Sequence, residues 1–128
     1  MKIRNLILGV ASMFLFASAF SAEKAKKVTP EQAKTMLKEK PSIMLVDVRT
    51  NGEYAAAHIP GAILLPNESI GKQPPKALPD MNAEIVVYCR SGMRSADAAR
   101  KLIKLGYKNV FDLGGIMSWP YETVSGME

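Results

Sequence analysis

Residues 85–95 read Ile-Val-Val-Tyr-Cys-Arg-Ser-Gly-Met-Arg-Ser, and this stretch decides the fold. Its first four residues are β-branched or aromatic without alternation, which is typical of a strand buried on both faces of a parallel sheet. Residues 95–105 then show apolar positions at helical spacing, and Gly106 follows as a residue that commonly ends helices. The stretch therefore predicts a strand, a loop and a helix, with Cys89 at the carboxyl end of the strand.

Cys89 is the only cysteine among 128 residues, and it stands where ligands bind in open α/β sheets. The predicted helix start offers unpaired N–H groups that favour an anion, and Arg90 and Arg94 add positive charge. Because such neighbours stabilise a thiolate, we interpret Cys89 as a nucleophile. A buried packing residue is the alternative, since free cysteine is often buried. Two arginines, a glycine and two serines within the next six positions favour catalysis.

The spacing from Cys89 to Arg94 is C-x4-R, one residue shorter than the C-x5-R loop that protein phosphatases wrap around phosphate. Residues 89–95 instead resemble the active loop of the rhodanese (thiosulfate sulfurtransferase) family, which typically reads C-R-S-G-x-R-S. Further matches to the family lie at residues 45–49, 53–54, 58–62 and 114–115. The resemblance covers about residues 28–122, nearly all of the predicted domain.

The resemblance implies an α/β fold, namely a single rhodanese-like domain over residues 23–128. It has a central, mostly parallel sheet of about five strands with helices on both faces. The alternation of predicted strands and helices with short connections favours the same architecture. The resemblance also implies a sulfurtransferase that moves sulfane sulfur from thiosulfate or a similar donor to cyanide or a thiol, through a persulfide on Cys89. The loop residues expected to bind the substrate are Arg90, Ser91, Gly92, Met93, Arg94 and Ser95.

Physical chemistry is compatible with these roles. Backbone N–H groups of residues 90–95 can curl around a terminal sulfur and stabilise its negative charge. Arg90 and Arg94 are expected to attract and orient a dianionic donor, while Gly92 lets the backbone approach closely. Two other functions could use Cys89: a persulfide carrier or redox-binding module, and a phosphatase or arsenate-reductase-like enzyme. The shorter loop argues against the second of these.

A second continuous apolar strand is predicted at residues 43–48, and its end carries Asp47 and, just beyond, Arg49. These two side chains could act in the active site, but an ion pair that fixes the loop geometry is the favoured interpretation. Arg49 could also pair with Glu53, four residues later on a short helix predicted at residues 51–57.

His58 is the only histidine, and a general base for Cys89 is one possible role for it. A structural role suffices, because it stands at the predicted end of a short helix, where it can cap carbonyls or anchor the turn. The family resemblance agrees, since rhodaneses need no histidine base. One Cys and one His without an acidic cluster do not suggest a zinc site, and no metal or organic cofactor is expected.

Local signals predict the remaining elements. Thr29 and Gln32 form a capping box for a helix that extends to about Glu39, and Pro41 ends it. A charged, mobile start is predicted at residues 23–27, and further strands are predicted at residues 62–65 and 110–113. A turn of helix is predicted around residues 68–71, followed by an irregular proline-rich connection at residues 71–79. A short helix is predicted at residues 116–119.

Residues 1–22 resemble a signal peptide, because Lys2 and Arg4 precede an apolar run at residues 6–16 and small residues follow. The run is too short for a comfortable transmembrane helix, although an uncleaved N-terminal anchor is the alternative. The sequence therefore predicts an exported, periplasmic or secreted protein, with no stable membrane association after cleavage.

The positive charge does not indicate nucleic-acid binding. Removal of residues 1–22 takes away two basic residues and no acidic one, so the net charge of +5 falls to +3. The lysines are scattered and no aromatic ladder accompanies them. The expected partners are a small anionic sulfur donor and a thiol or cyanide acceptor. With one cysteine, any second thiol comes from another molecule, which could be a protein thiol.

Overall fold

The computed structural model describes residues 24–127. The predicted signal peptide, residues 1–22, lies outside these residues. No helix in the described part of the chain is long and apolar enough to cross a membrane.

Within residues 24–127, five strands form one parallel sheet in the order β1-β5-β4-β2-β3. The strands are β1 (Lys26–Lys27), β2 (Met44–Asp47), β3 (Ile63–Leu64), β4 (Glu84–Cys89) and β5 (Asn109–Gly115). The predicted parallel sheet of about five strands is confirmed. The strand that carries Cys89 is the central one, so its carboxyl end has a neighbouring strand on each side.

The described residues contain three α-helices and two 3-10 turns. The helices are α1 (Pro30–Glu39), α2 (Asn51–Ala56) and α3 (Met93–Leu105), and the turns are Asn67–Ser69 and Ile116–Ser118. The predicted capping box before α1 is confirmed, since the Gln32 N–H donates to Thr29 Oγ1 at 3.1 Å and the Thr29 N–H to Gln32 Oε1 at 2.9 Å. Thr50 and Glu53 form the same motif before α2.

The sheet is covered on both faces, as predicted. Side chains alternate along a strand, so Val46 and Val87 pack in one core with α3, and Leu45 and Val86 pack in a second core with α1 and α2. Each fully buried aliphatic side chain of this size contributes about 1.5–3 kcal/mol by leaving water. The two cores hold β4 rigidly between them.

The prediction of a mobile start at residues 23–27 was wrong for Lys26 and Lys27. These residues form β1, which pairs with β5, and the Val28 N–H donates to the Asp112 carbonyl at 3.0 Å. The pairing depends on backbone groups, and both lysine side chains remain exposed. Charged side chains are common on edge strands because they discourage further pairing.

Several element boundaries differ from the sequence predictions. Strand β4 includes Cys89 itself, and α3 begins at Met93 rather than at residue 95. Strand β5 extends through Gly115, where a helix start was expected, and the following turn is of the 3-10 type. Residues 71–79 contain no helix or strand, as the three prolines predicted.

Candidate active site

Cys89 is the last residue of β4, where it is paired with Gly115 of β5. Residues 90–92 then lead directly into α3, which starts at Met93. We call residues 89–95 the active loop. The structure confirms the predicted arrangement, in which the thiol lies between the carboxyl end of a buried strand and the first turn of a helix.

The Cys89 side chain is fully buried, with 0% exposure, and packs in the core that α3 covers. Its Sγ accepts a hydrogen bond from the Gly92 N–H at 3.0 Å. Gly92 has a backbone φ of +116°, a conformation that residues with a Cβ atom rarely adopt. Of the amides expected around the sulfur, this one donates to Sγ.

The other loop residues separate into exposed and buried groups. Arg90, Ser91 and Met93 are exposed, and Met93 is the most exposed large hydrophobic residue of the described chain at 83%. Ser95 is buried, and its Oγ donates to the Gly92 carbonyl at 3.1 Å. Ser95 therefore closes the first turn of α3.

The active loop lies against the end of β5. A Cβ at Gly115 would lie 2.3 Å from the Arg90 carbonyl oxygen and 2.8 Å from Ser91 Cα. The Met117 N–H also donates to the Arg90 carbonyl, at 3.2 Å. Glycine at position 115 therefore permits the close backbone contact that fixes the loop. The sequence predicted a helix start at Gly114-Gly115 and not this contact. The Gly-Gly pair was the one sequence feature that could have indicated a close approach of two backbone segments.

Gly115→Ala should move the active loop and lower the sulfur transfer that the rhodanese resemblance implies. The new methyl group cannot fit beside rigid backbone at 2.3 Å, so the loop must shift. Misplacement of a catalytic group by about 1 Å can cost roughly 100-fold in rate. We expect kcat/KM to fall at least about 10-fold. Steady-state kinetics on thiosulfate measure the effect.

Gly71→Ala is the matched control, because nothing lies within 4 Å of a Cβ at Gly71. This variant should retain wild-type kinetics. Equal rates for Gly115→Ala and Gly71→Ala would contradict the proposed packing of the loop.

Asp47 and Arg49 form a buried ion pair, as favoured from the sequence. Arg49 Nη2 lies 2.6 Å from Asp47 Oδ2, and Arg49 Nε lies 2.9 Å from Oδ1. The same Nη2 donates to the Ala57 carbonyl at 2.7 Å. The pair thus joins the end of β2 to the end of α2. The predicted pairing of Arg49 with Glu53 was wrong, because the Arg49 guanidinium donates its hydrogen bonds to Asp47 and to the Ala57 carbonyl instead.

His58 lies in the turn after α2, where it is 1% exposed. Its ring stacks on Tyr54 with 3.7 Å between centroids, and Nδ1 lies 2.8 Å from the Tyr54 carbonyl oxygen. Its backbone exchanges two hydrogen bonds with Val124. These contacts anchor the turn and the C-terminal segment, in agreement with the structural role considered from the sequence.

Arg94 pairs with Glu53 of α2. Arg94 Nη1 lies 2.8 Å from Glu53 Oε1, and Nη2 lies 3.0 Å from Oε2. The Arg94 guanidinium lowers the pKa of Glu53 to about 2, and the Glu53 carboxylate raises the pKa of Arg94. Sequence reasoning missed Glu53 as a neighbour of the active loop, because 41 residues separate it from Arg94.

The Glu53 ion pair predicts a dependence of stability on pH. The folded state depresses the pKa of Glu53 from 4.5 to about 2, so the pair stabilises the protein fully above pH 4.5 and loses this effect as the pH falls towards 2. Solvent screens these part-exposed groups, and we expect a change of about 1 kcal/mol. Urea unfolding of wild type and Glu53→Gln across this pH range measures it. The difference between the two proteins should shrink on acidification; a constant difference would contradict the assignment.

Comparisons with known proteins identify the family of this chain. The family model described as "Rhodanese-like domain" matches residues 29–121. The chain is 38% identical over 95 residues to the thiosulfate sulfurtransferase GlpE of Haemophilus influenzae, a match that spans 73% of this chain and 87% of that protein. It is 33% identical over 81 residues to the thiosulfate sulfurtransferase PspE of Escherichia coli, spanning 63% of this chain and 78% of that protein.

A solved structure described as "rhodanese with anions from E. coli" is also similar. It has a TM-score of 0.61 and 32% sequence identity, over 66% of this chain and 99% of the other. The fold and these relatives agree with the family resemblance found in the sequence. The chain therefore belongs to the rhodanese-like domain family, the sulfurtransferase family that its active loop indicates.

Proposed function

We propose that this protein is a single-domain sulfurtransferase in which Cys89 carries sulfur as a persulfide between a donor and an acceptor. The observation that carries the proposal is the position of Cys89 at the start of α3, with the Gly92 N–H directed at Sγ at 3.0 Å. Thiosulfate is the proposed donor because two relatives are named thiosulfate sulfurtransferases.

In the first step, the Cys89 thiolate attacks the outer sulfur of thiosulfate. A bond forms between Sγ and that sulfur, the sulfur–sulfur bond of thiosulfate breaks, and its electron pair leaves with sulfite. The persulfide on Cys89 is anionic, and backbone N–H groups at the helix start stabilise this charge. In the second step, cyanide or a thiolate attacks the outer sulfur, and Cys89 leaves as a thiolate.

The exposed Arg90 guanidinium attracts the anionic donor to the loop. The Gly92 N–H donates to Sγ, Ser95 Oγ donates to the Gly92 carbonyl, and Met93 is exposed at the start of α3. Because Sγ is fully buried, donor access requires the loop to open before the first step.

The test is multiple turnover by purified protein with thiosulfate and cyanide. Sulfite and thiocyanate should form in equal amounts, and the intact protein should gain the mass of one sulfur atom when cyanide is omitted. Hydrolysis of a phosphate ester without sulfur transfer would instead support a phosphatase-like enzyme. Absence of both the adduct and thiocyanate would contradict the proposal.

A persulfide carrier is the second candidate, because exposed apolar side chains lie beside the loop. Met93 is 83% exposed, and Met117, whose N–H contacts the Arg90 carbonyl, is 67% exposed. Exposed methionines suit an interface with a partner protein, which could supply a thiol. A carrier would gain one sulfur on Cys89 from thiosulfate or a partner but would show little multiple turnover with cyanide.

We also propose that residues 1–22 direct export to the periplasm and are then removed. The basic start, the short apolar run and the small residues before position 23 support this proposal. Cell fractionation followed by intact mass measurement tests it. The expected product begins after residue 19, 21 or 22, whereas a full-length form in the membrane fraction would indicate an uncleaved anchor.

A further inference from the structure

Arg94, the second arginine of the active loop, is not available to a donor in the way that Arg90 is. Both terminal nitrogens of Arg94 face the two oxygens of Glu53, at 2.8 and 3.0 Å. Such bidentate ion pairs are stronger and more directional than ion pairs with a single hydrogen bond. The carboxylate therefore neutralises one of the two cations expected to bind the donor.

Glu53 is held in place independently of Arg94. The Thr50 N–H donates to Glu53 Oε1 at 3.2 Å, and Thr50 Oγ1 lies 3.1 Å from the same oxygen. The Glu53 N–H in turn donates to Thr50 Oγ1 at 3.2 Å, which completes the capping box of α2. The carboxylate is thus fixed by α2 before any substrate binds, and its position does not depend on the active loop.

The Arg90 guanidinium differs from that of Arg94. Arg90 is exposed, and its guanidinium makes no hydrogen bond or ion pair within residues 24–127. With Cys89 ionised, the two arginines and the two anions Cys89 and Glu53 sum to zero charge. A dianionic donor therefore adds two negative charges without a counter-charge, whereas a singly charged donor adds one.

We infer that Glu53 is a positioning residue that sets the charge preference of the active site, because its pairing with Arg94 weakens the attraction for dianionic sulfane donors relative to singly charged ones. The singly charged class comprises thiosulfonates and organic persulfide anions. This inference rests on the proposed sulfurtransferase function. It predicts that loss of the Glu53 charge would release Arg94 for a second negative charge on the donor.

The test compares two donors of similar size, thiosulfate with two charges and methanethiosulfonate with one. Attack by Cys89 releases sulfite from the first and methanesulfinate from the second, and both leave the same persulfide. The variant Glu53→Gln removes the charge but keeps a side chain that can complete the capping box. We expect the kcat/KM for thiosulfate, relative to that for methanethiosulfonate, to rise about threefold to tenfold in Glu53→Gln, mainly through a lower KM for thiosulfate.

Glu53→Asp and Glu84→Gln complete the design. Glu53→Asp retains the charge and should keep the ratio near the wild-type value. Glu84 pairs with Lys40 at 3.1 Å with a similar side-chain exposure, 29% against 28% for Glu53, but it starts β4 while Cys89 ends it. About 16 Å of extended strand separates the two positions, so Glu84→Gln should leave the ratio unchanged.

The outcomes separate the inference from the proposed function. If Glu53→Gln lost activity equally with both donors, or left the ratio of the two kcat/KM values unchanged, the role of Glu53 in charge preference would be overturned. Turnover by the wild-type protein would still support the proposed sulfurtransferase function in that case. Failure of wild type to form a persulfide from either donor would overturn the proposed function, and the inference with it.

Discussion

Cys89→Ser is expected to abolish the sulfur adduct and to lower sulfur transfer at least about 1000-fold, because it removes the nucleophile of a covalent mechanism. A serine hydroxyl at this position remains protonated near neutral pH and is a poor nucleophile towards sulfur. The measurements are intact-protein mass spectrometry after incubation with thiosulfate, and thiocyanate formation with cyanide present.

Loss of activity must be separated from loss of fold, because Cys89 is fully buried. The serine hydroxyl can still accept the Gly92 N–H, so the cost in stability should be about 1–3 kcal/mol. Cys89→Ala avoids burying a hydroxyl and serves as the second variant. Both proteins should show wild-type circular dichroism. A folded variant that retained substantial sulfur transfer would contradict the assignment of Cys89 as the nucleophile.

Arg49→Met is expected to produce the largest loss of stability, about 3–5 kcal/mol. Asp47 is 0% exposed, and Arg49 supplies its buried counter-charge through three side-chain hydrogen bonds at 2.6–3.1 Å. Removal of the guanidinium leaves a carboxylate without its partner in the interior. Domains of this size are stable by about 5–15 kcal/mol, so the variant should be partly unfolded at moderate temperature. Urea unfolding measures the change.

Two comparisons test the electrostatic cause. The double variant Asp47→Asn, Arg49→Met removes both charges and should be more stable than Arg49→Met alone. Arg100→Met breaks the exposed pair with Asp97, in which the arginine side chain is 71% exposed, and should cost less than about 1 kcal/mol. A cost for Arg49→Met no greater than that for Arg100→Met would contradict the prediction.

The central strand, active loop and helix could be predicted because each depends on neighbours in the sequence. Residues 85–88 are apolar without alternation, and Gly106 ends α3 with a left-handed φ of +112°. The Thr29 and Gln32 capping box is equally local, since its hydrogen bonds join residues three apart. The position of Cys89 follows from these elements, as the structure confirms.

Other features of the site depend on residues that are distant along the chain. The partner of Arg94 could not be identified from the spacing of residues in the sequence. The i,i+4 spacing of ion pairs on a helix instead predicted that Glu53 pairs with Arg49. In the structure Arg49 reaches back two residues to Asp47, and this frees Glu53 for Arg94. Likewise, Lys26 and Lys27 carry no strand pattern, and β1 exists because the open edge of β5 accepts its backbone.

The sequence by itself determined the parallel α/β architecture, the rhodanese resemblance and the place of Cys89, because short-range patterns of apolar residues, glycines and caps specify them. Only the tertiary structure decided the burial of the thiol, the contact of the loop with Gly115 and the neutralisation of Arg94 by Glu53. These features arise where the ends of β4, β5 and α2 meet. The energies of such long-range contacts depend on distance and burial, and neither quantity can be predicted from residues that are close together in the sequence.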